Sequence, residues 1–362
     1  MNFNTLFLKS FRVLLLPFAL LYGVIVYLRN WLYNKQYIKS VQFNLPMICV
    51  GNLSLGGTGK SPMVEYLLSI LSDDYKIATL SRGYKRRTKG YALAGVNTTA
   101  LEIGDEPMQF HIKYPNVSVA VGERRIEAIP QLIQDVPDLA AVILDDAFQH
   151  REINAGLNIL LTDYSNLYCD DVFFPTGDLR DERKSAKRAN IIVVTKCPTN
   201  LTEEERDEII EKLYPEQHQA IFFTSIAYDT PYHIYDPNKQ WNLSLKDEVL
   251  LVCGIANPLP LKEYLHEQTQ TYYQISYSDH HIFSIDDLND IKNKFDQINA
   301  NSKIILTTEK DAVRLVKYTE ALNTIPLYVL PIKPNFLFNS KEAFNQLVIH
   351  YVAEFNKNNN GN

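Results

Sequence analysis

The most constraining feature of this chain is a glycine-rich turn between an apolar strand and a helix. After the apolar residues 47–50, the sequence reads GNLSLGGTGKSP through Pro62. Backbone N–H groups in such a turn point at phosphate oxygens, and the N-terminus of the following helix favours anions. Glycine lets the backbone approach a phosphate closely and adopt positive φ. The segment therefore predicts a phosphate-binding loop, with Lys60 reaching the β- and γ-phosphates of a nucleotide and the Ser61 hydroxyl binding Mg²⁺.

The loop departs from the strict pattern G-x-x-x-x-G-K-[ST] at one position. Ser54 stands where that pattern has glycine, and Gly51 supplies a glycine elsewhere in the segment. The alternative is an ordinary strand–turn–helix, which leaves the placement of Lys60 and Ser61 unexplained. The predicted nucleotide-binding residues are Ser54, Leu55, Gly56, Gly57, Thr58, Gly59, Lys60 and Ser61.

A second apolar strand ends in a pair of carboxylates. Residues 140–151 read AAVILDDAFQHR, so that Asp145 and Asp146 follow the apolar run directly. In a parallel sheet, the carboxyl ends of the strands open at the edge where ligands bind. Hard oxygen ligands suit Mg²⁺, which predicts that this pair holds the ion or its waters. A pair of turn or helix-capping aspartates is the alternative.

Apolar runs alternate with helical patterns from residue 45 onwards, which predicts an α/β fold. The sheet should be mostly parallel, with helices on both faces. The predicted strands are 47–50, 77–80, 117–121, 141–144, 157–161, 191–194, 221–224, 249–252, 304–307 and 327–330. The predicted helices are 60–71, 123–133, 202–213, 259–266, 285–295 and 341–355. The pattern weakens within 225–248, so we expect three parts: 1–40, the P-loop core 41–225, and 226–362, which completes the core and forms a second lobe.

Composition narrows the function classes. The 362 residues carry a net charge of −6, which argues against a general nucleic-acid binder. Four cysteines occur without C-x-x-C spacing, so neither a zinc site nor a thioredoxin-like pair is indicated, and scattered single cysteines suit a reducing compartment. The basic run 85–89 (KRRTK) is either a solvated loop or a surface for anionic headgroups or substrate phosphate.

The N-terminal region contains an uncharged apolar run from Val13 to Leu28. Lys9 and Arg12 precede it, Arg29 follows it, and Trp31 extends it with an interfacial side chain. A spanning helix needs about 20 apolar residues, so this run is at the lower limit. A membrane anchor or an interfacial helix is favoured. A buried core helix and a cleaved signal peptide are the alternatives.

Taken together, these and further motifs resemble the tetraacyldisaccharide 4′-kinase family (LpxK) of lipid A synthesis. The resemblance runs from Gly51 to about Arg314, with a similar apolar N-terminus. The motifs that carry it are GNLSLGGTGKSP (51–62), SRGY (81–84), GDEP (104–107), DDAFQHR (145–151), PTGDLR (175–180), DHHIF (279–283) and TTEKDAVRL (307–315). The family also tolerates a residue other than glycine at the position of Ser54.

The resemblance implies a P-loop α/β core, a smaller second lobe and an N-terminal helix that contacts the membrane. The implied activity is transfer of the ATP γ-phosphate to the 4′-hydroxyl of a tetraacylated disaccharide 1-phosphate, a lipid A precursor, at the cytoplasmic face of the bacterial inner membrane. The implied partners are that lipid and inner-membrane lipids, without nucleic acid or an obligate protein partner.

Residue roles follow from the matching motifs. The resemblance implies an acid–base dyad of Asp105 and His280 acting on the sugar hydroxyl. It implies substrate-side residues Arg82, Tyr84, Gln149, His150 and Arg180. It implies a metal site made of Ser61, Asp145, Asp146 and Glu309, with Thr307 near the nucleotide or metal. Two departures from the family are Ala147, where glycine is frequent, and Asp181, where glutamate is frequent, which puts any role for residue 181 in doubt.

Each of these roles has a simpler alternative. Asp105 precedes Glu106-Pro107, a setting typical of a helix N-cap. Arg180 suits bidentate binding of a lipid phosphate or, alternatively, a surface ion pair. His280 and His281 are adjacent, so that on regular structure they point in different directions and at most one acts directly.

Two other functions compete with the kinase. A P-loop GTPase or metal-chaperone NTPase would need an N-K-x-D motif, whereas residues 195–198 read TKCP. A membrane-tethered nucleotide-binding regulator would not depend on Asp105 or His280.

Overall fold

The computed structural model describes residues 12–318, 322 and 325–360, with side chains described through residue 357. Lys9, one of the basic residues flanking the apolar run, lies outside the described residues. The described chain forms two α/β lobes, each built on a sheet whose central strands are parallel, and an N-terminal helix that packs against the first lobe.

The first lobe is built on a sheet of nine strands among the residues described. They are β1 (Met47–Asn52), β2 (Ile77–Ser81), β3 (Ala92–Leu93), β4 (Ser118–Val121), β5 (Ala141–Asp145), β6 (Leu157–Asp163), β7 (Ile191–Thr195), β8 (Ala220–Tyr228) and β15 (Ile332–Phe336). Their order is β15–β8–β7–β6–β1–β5–β2–β4–β3, and only the edge strands β15 and β3 are antiparallel to their neighbours. In β5, Val142 and Leu144 join one core cluster while Ile143 joins another, so the sheet is covered on both faces.

The second lobe is built on a sheet of six strands in the described part of the chain. They are β9 (Tyr232–His233), β10 (Asp236–Gln240), β11 (Glu248–Cys253), β12 (Thr271–Ser276), β13 (Lys303–Thr308) and β14 (Leu327–Leu330). Their order is β10–β9–β14–β13–β11–β12, with β11 to β14 parallel. Parallel strands again require crossover connections, here mostly helices. These helices pack on the sheet and form two hydrophobic core clusters that belong to the second lobe.

The helices alternate with the strands. They are α1 (Leu16–Asn34), α2 (Lys60–Leu71), α3 (Ala100–Ile103), α4 (Asp105–Lys113), α5 (Arg125–Asp135), α6 (Glu203–Leu213), α7 (Leu259–Gln268), α8 (Ile285–Gln297), α9 (Glu309–Leu315) and α10 (Lys341–Asn360), with 3₁₀ turns at Arg183–Arg188 and Val316–Tyr318. Capping boxes start α6 at Thr202 and α8 at Ser284. The chain returns from the second lobe to the first through β15 and α10, whose Phe344 and Val348 are buried in the first-lobe core.

Helix α1 begins three residues after the start of the predicted apolar run and continues to Asn34. Its buried residues are Ala19, Gly23, Val26 and Asn30, spaced three or four apart, so that one stripe faces the protein. The Asn30 amide donates to the buried Asp181 carboxylate at 2.7 Å. The opposite face exposes large apolar side chains, namely Phe18, Leu20, Leu21, Val24, Ile25 and Leu28. The helix is therefore docked along one side and apolar along the other.

Candidate active site

A cleft of about 750 Å³ lies between the two lobes. The first lobe contributes residues at the carboxyl ends of β1, β2, β5 and β7, and the second contributes Ala256, Asp279, His280 and Lys310. Ligands bind at this edge of a parallel sheet because the connecting loops and helix N-termini gather there. In both lobes, residues that follow the carboxyl ends of the strands face the same cleft.

The predicted phosphate loop lines the cleft, with every residue from Ser54 to Ser61 on its wall. Gly56 has φ +100° and Gly59 has φ +80°, which are conformations that favour glycine. Lys60 is the first residue of α2, so the loop leads into a helix N-terminus. The Thr195 hydroxyl at the end of β7 donates to the Thr58 carbonyl at 3.0 Å and fixes the loop to the neighbouring strand.

Two cations converge on Asp146. The Lys60 Nζ atom lies 3.7 Å from Oδ1, and the Arg180 guanidinium binds both carboxylate oxygens. Both cations also contact the Asn52 side chain at the end of β1. Burial raises the pKa of Asp146, but Lys60 and Arg180 outweigh it and lower that pKa to about 2. Asp146 is therefore an anion that holds Lys60 and Arg180 at the cleft.

Asp145 has a different environment from its neighbour. It is buried, and burial followed by the charge of Asp146 raises its pKa to about 6. Its Oδ2 atom accepts from the Ser81 hydroxyl at 3.3 Å. Its Oδ1 atom is buried with no hydrogen-bond partner among the described residues. A bound cation would satisfy such an unpaired carboxylate oxygen.

The described chain contains no group of three or more histidine, cysteine, aspartate or glutamate residues arranged to hold a metal. A metal at Asp145 would therefore take further ligands from a hydroxyl, from water or from phosphate oxygens, as Mg²⁺ does in phosphoryl-transfer sites.

The predicted dyad is assembled across the two lobes. Asp105 is the first residue of α4, and His280 lies in the loop after β12 with φ +63°. The Nδ1 atom of His280 lies 2.7 Å from Oδ2 of Asp105. Because a carboxylate only accepts, Nδ1 carries the proton, and Nε2 is left to accept from Lys310 Nζ at 3.3 Å. Asp105 is not the N-cap of α4, since that position is taken by Gly104.

The predicted substrate-side residues fall into two groups. Arg82, Tyr84 and Arg180 line the cleft, and the Tyr84 ring lies 6.1 Å from the His280 ring. Arg180 binds Asp146, so the structure does not show it free for a lipid phosphate. Gln149 and His150 lie outside the cleft wall.

Gln149 and His150 lie on the turn after β5, beside α1. Gln149 donates from Nε2 to the Asn52 carbonyl at 2.5 Å and accepts from Arg29 through its own carbonyl at 2.6 Å. Burial, assisted by the charge of Arg125, lowers the pKa of His150 to about 4. Gln149 therefore links the turn after Asp146 to β1 and to α1.

Glu309, predicted as a metal ligand, lies away from the cleft wall. Glu309 starts α9 and is buried, with Oε1 2.5 Å from Lys113 Nζ and Oε2 accepting from the Ile332 N–H at 3.1 Å. Both carboxylate oxygens are thus occupied by donors, and the residue does not line the cleft. Thr307 is fully buried in β13 and likewise lies off the cleft wall.

The structure shows the contacts of residue 181 and of the segment 195–198, whose roles the sequence left open. Asp181 is fully buried and accepts from Asn30 of α1, from Ser185 and from Arg188, so it tethers the N-terminal helix. In the segment 195–198, Lys196 lines the cleft and its Nζ atom lies 2.7 Å from Asp163 Oδ2.

Sequence reasoning assigned no role to several residues that the structure brings to the site. They are Asn52, Arg125, Lys310 and Arg314. Asn52 ends β1 at the ligand-binding edge, a signal that was available in the sequence. Lys310 and Arg314 belong to the TTEKDAVRL motif, but only folding across the lobes shows what they contact.

A glycine loop at a helix N-terminus, a carboxylate pair on the adjacent strand β5 and a cleft along the sheet edge define a P-loop nucleotide-binding protein. The family model for tetraacyldisaccharide-1-P 4′-kinase, LpxK, matches residues 11–353. The chain belongs to this family, which confirms the resemblance found in the motifs.

Named relatives agree over nearly the whole chain. The tetraacyldisaccharide 4′-kinase of Flavobacterium johnsoniae is 47% identical over 345 residues, covering 95% of this chain and 98% of that protein. The enzyme of the same name from Bacteroides thetaiotaomicron is 41% identical over 358 residues, covering 95% and 94%. A crystal structure of apo-form LpxK from Aquifex aeolicus in complex with ATP matches with a TM-score of 0.74 and 27% identity, covering 94% of this chain and 99% of that one. The predicted fold class is thereby confirmed.

Proposed function

We propose that this protein is an ATP-dependent lipid kinase. It transfers the γ-phosphate to the 4′-hydroxyl of a tetraacylated disaccharide 1-phosphate, a lipid A precursor, at the cytoplasmic face of the inner membrane. The observation that carries the proposal is that one cleft brings Lys60 and the phosphate loop from the first lobe opposite His280 from the second, with Asp105 hydrogen-bonded to that histidine. Family membership and the ATP-bound relative support it.

The chemistry follows from the positions of the side chains. In phosphoryl transfer, the protein mainly positions the reactants and neutralises charge. Backbone N–H groups of residues 54–61 and the α2 N-terminus bind the phosphates, and Lys60 neutralises charge on the transferred group. The acceptor is a neutral hydroxyl, so a carboxylate beside it that takes the proton assists attack on phosphorus. Asp105 has this role, and His280 orients it.

The residues present fit a bound Mg²⁺. Asp145, whose buried Oδ1 atom has no partner among the described residues, and Ser61 at the start of α2 both line the cleft and offer hard oxygen donors. Asp146 would support the site from its pairs with Lys60 and Arg180. When bound, Mg²⁺ neutralises charge on the β- and γ-phosphates.

Helix α1 supports the proposed membrane association. In the described part of the chain, this is the helix that is long and apolar enough, by length and composition, to cross a membrane. However, its stripe from Ala19 to Asn30 is buried against the first lobe. A helix docked along its length presents only its outer face to lipid, which favours a position in the plane of the interface. The Tyr22 hydroxyl donates to the carbonyl of Arg180, a cleft residue, so α1 is connected directly to the site.

The test is transfer of labelled γ-phosphate from ATP to a detergent-solubilised tetraacyl disaccharide 1-phosphate in the presence of Mg²⁺. We expect label in the lipid with the wild-type protein, none with an acceptor whose 4′-position lacks a hydroxyl, and none with the Lys60→Met variant. ATP hydrolysis at equal rates with and without lipid, and no labelled lipid from folded protein, would instead support a membrane-tethered NTPase or nucleotide-binding regulator.

A further inference from the structure

A buried arginine, Arg314, contacts both residues of the dyad, Asp105 and His280. Arg314 belongs to α9 of the second lobe, and only 6% of its side chain is exposed. Its Nη2 atom donates to Oδ2 of Asp105 at 2.6 Å and lies 3.1 Å from Nδ1 of His280. Arg314 therefore contacts both members of the pair.

The guanidinium of Arg314 is held in place from the second lobe. Its Nη1 atom lies 3.4 Å from Oδ1 of Asp311 and 3.4 Å from the His281 carbonyl. Asp311 is fully buried, and its Oδ2 atom accepts from the Gly254 N–H at 2.9 Å and from the Thr308 hydroxyl at 2.7 Å. A buried arginine anchored by several hydrogen bonds has a fixed position, unlike a surface arginine.

The two donors to Asp105 that occur in the described residues converge on one oxygen. Arg314 and His280 both donate a hydrogen bond to Oδ2. The carboxylate is therefore oriented with Oδ1 as the oxygen available to a further donor. A carboxylate accepts through both oxygens, so Oδ1 remains competent to receive a proton.

We propose that Arg314 is the positioning residue of the dyad, fixing Oδ2 of Asp105 so that Oδ1 receives the proton of the acceptor hydroxyl. This inference rests on the proposed kinase function. In the step, the hydroxyl oxygen forms a bond to the γ-phosphorus, its proton passes to Oδ1, and the bond between the γ-phosphorus and the β,γ-bridging oxygen breaks, so that ADP leaves with the electron pair.

The charges around Asp105 explain why an arginine suits this position. Arg314 faces it from α9 and His280 from the loop after β12, while Lys310 of α9 contacts His280 and lies 3.6 Å from Glu106 and 3.1 Å from Asp279. Histidine gains and loses its proton near neutral pH, whereas arginine stays charged. Burial raises the pKa of Asp105, but Arg314 and His280 together keep it below its usual value. Arg314 thus supplies a permanent positive charge beside the carboxylate.

The experiment compares Arg314→Met, Arg314→Lys and the matched control Lys317→Met, which removes an exposed cation three residues further on. For Arg314→Met, we expect kcat to fall about 10–100-fold while KM for ATP changes by less than about 3-fold. The acidic limb of its pH–kcat profile should move to higher pH, because the pKa of Asp105 is no longer lowered by the guanidinium. Arg314→Lys should recover part of kcat, and Lys317→Met should match the wild type.

A double-mutant cycle keeps the inference testable even if Arg314→Met folds poorly. In an Asp105→Asn background, Arg314→Lys should cause no further loss of kcat, since the residue acts through Asp105. Equal losses in both backgrounds, or a wild-type pH profile in the Arg314 variants, would overturn the inference. An inactive wild-type protein would instead refute the proposed kinase function.

Discussion

The Nδ1 atom of His280 lies 2.7 Å from Oδ2 of Asp105, although the two residues are 175 positions apart and belong to different lobes. Asp105 starts a helix of the first lobe, and His280 follows a strand of the second. The pair therefore exists only while the lobes are together, and its His280 lines the cleft that also holds the phosphate loop. The groups proposed to bind phosphate and to activate the acceptor therefore come together only in this arrangement of the lobes.

The first prediction concerns this pair. Asp105→Asn keeps the size of the side chain but removes the acceptor for the hydroxyl proton, so kcat should fall at least about 100-fold with little change in KM for ATP. His280→Ala should reduce kcat less, by about 10–100-fold, because the carboxylate remains but loses one of its two fixing contacts. Steady-state kinetics with labelled ATP measures both variants.

The adjacent histidine provides the control for His280→Ala. His281 lies 3.0 Å from Asp287 and stacks on Tyr277, within the second lobe. His281→Ala should therefore change kcat by less than about 3-fold while lowering stability slightly. Equal kcat losses for the two histidine variants would contradict the assignment to His280.

The second prediction concerns a buried charge network between the lobes. Lys113 lies 2.6 Å from Glu65 of α2 and 2.5 Å from Glu309 of α9, and both carboxylates are almost fully buried. Lys113→Met leaves two buried carboxylates facing each other without a cation. Breaking such a network typically costs about 3–5 kcal/mol, so the free energy of unfolding should fall by about that amount. Denaturant titration at pH 8 measures it.

Lowering the pH should relieve part of this loss. Burial, followed by the charge of Glu309, already raises the pKa of Glu65 to about 7 with Lys113 present. Without Lys113, protonation of one carboxylate becomes easier still, so the variant should be less destabilised at pH 6 than at pH 8. Lys333→Met breaks an exposed pair with Asp229 and should cost less than about 1 kcal/mol. A destabilisation as small for Lys113→Met would contradict the prediction.

The local parts of the fold followed from the sequence. Helix α2 begins and ends at the predicted residues, Lys60 and Leu71, because a glycine turn precedes it and the apolar spacing continues throughout. The ten predicted strands all occur. The sequence did not predict α4, α9, β12 or β15, which are short or polar and are stabilised by contacts with distant segments.

The candidate site was likewise predictable only in its local parts. The phosphate loop and the pair Asp145–Asp146 are contiguous motifs, so their placement at one sheet edge could be predicted. The partners of Glu309 could not, because Lys113 lies 196 positions away in the other lobe. The contacts of Asp181 could not be predicted either, because its partner Asn30 belongs to the distant N-terminal helix.

The third prediction concerns the docking of α1. A Cβ atom added at Gly23 would lie 2.8 Å from the Phe173 ring, so a larger side chain must displace the helix or the ring. Gly23→Val should therefore loosen α1 and reduce kcat with micellar lipid about 10-fold, because Tyr22 connects α1 to the backbone of Arg180. Activity assays and proteolysis of the α1 junction measure the effect.

An exposed position on the same helix provides the control. Leu20 points away from the protein, so Leu20→Val keeps the docked stripe intact and should leave kcat unchanged. Equal kcat and equal protease resistance for Gly23→Val and the wild type would show that the close contact with Phe173 is not needed for docking.

The last prediction concerns pH and His150. Burial and the nearby charge of Arg125 lower the pKa of His150 to about 4, whereas an unfolded histidine titrates near 6.5. Between these values the unfolded chain binds a proton that the folded protein does not, so this residue makes stability fall as the pH drops from about 6.5 to 4. The loss should be on the order of 3 kcal/mol. In His150→Gln, the decline in unfolding free energy over this window should be shallower by that amount, as measured by denaturant titration at a series of pH values.

The exposed His218 offers the matched variant, and His218→Gln should keep the wild-type slope of unfolding free energy against pH. An unchanged slope in His150→Gln would show that the folded protein protonates His150 as readily as the unfolded chain does.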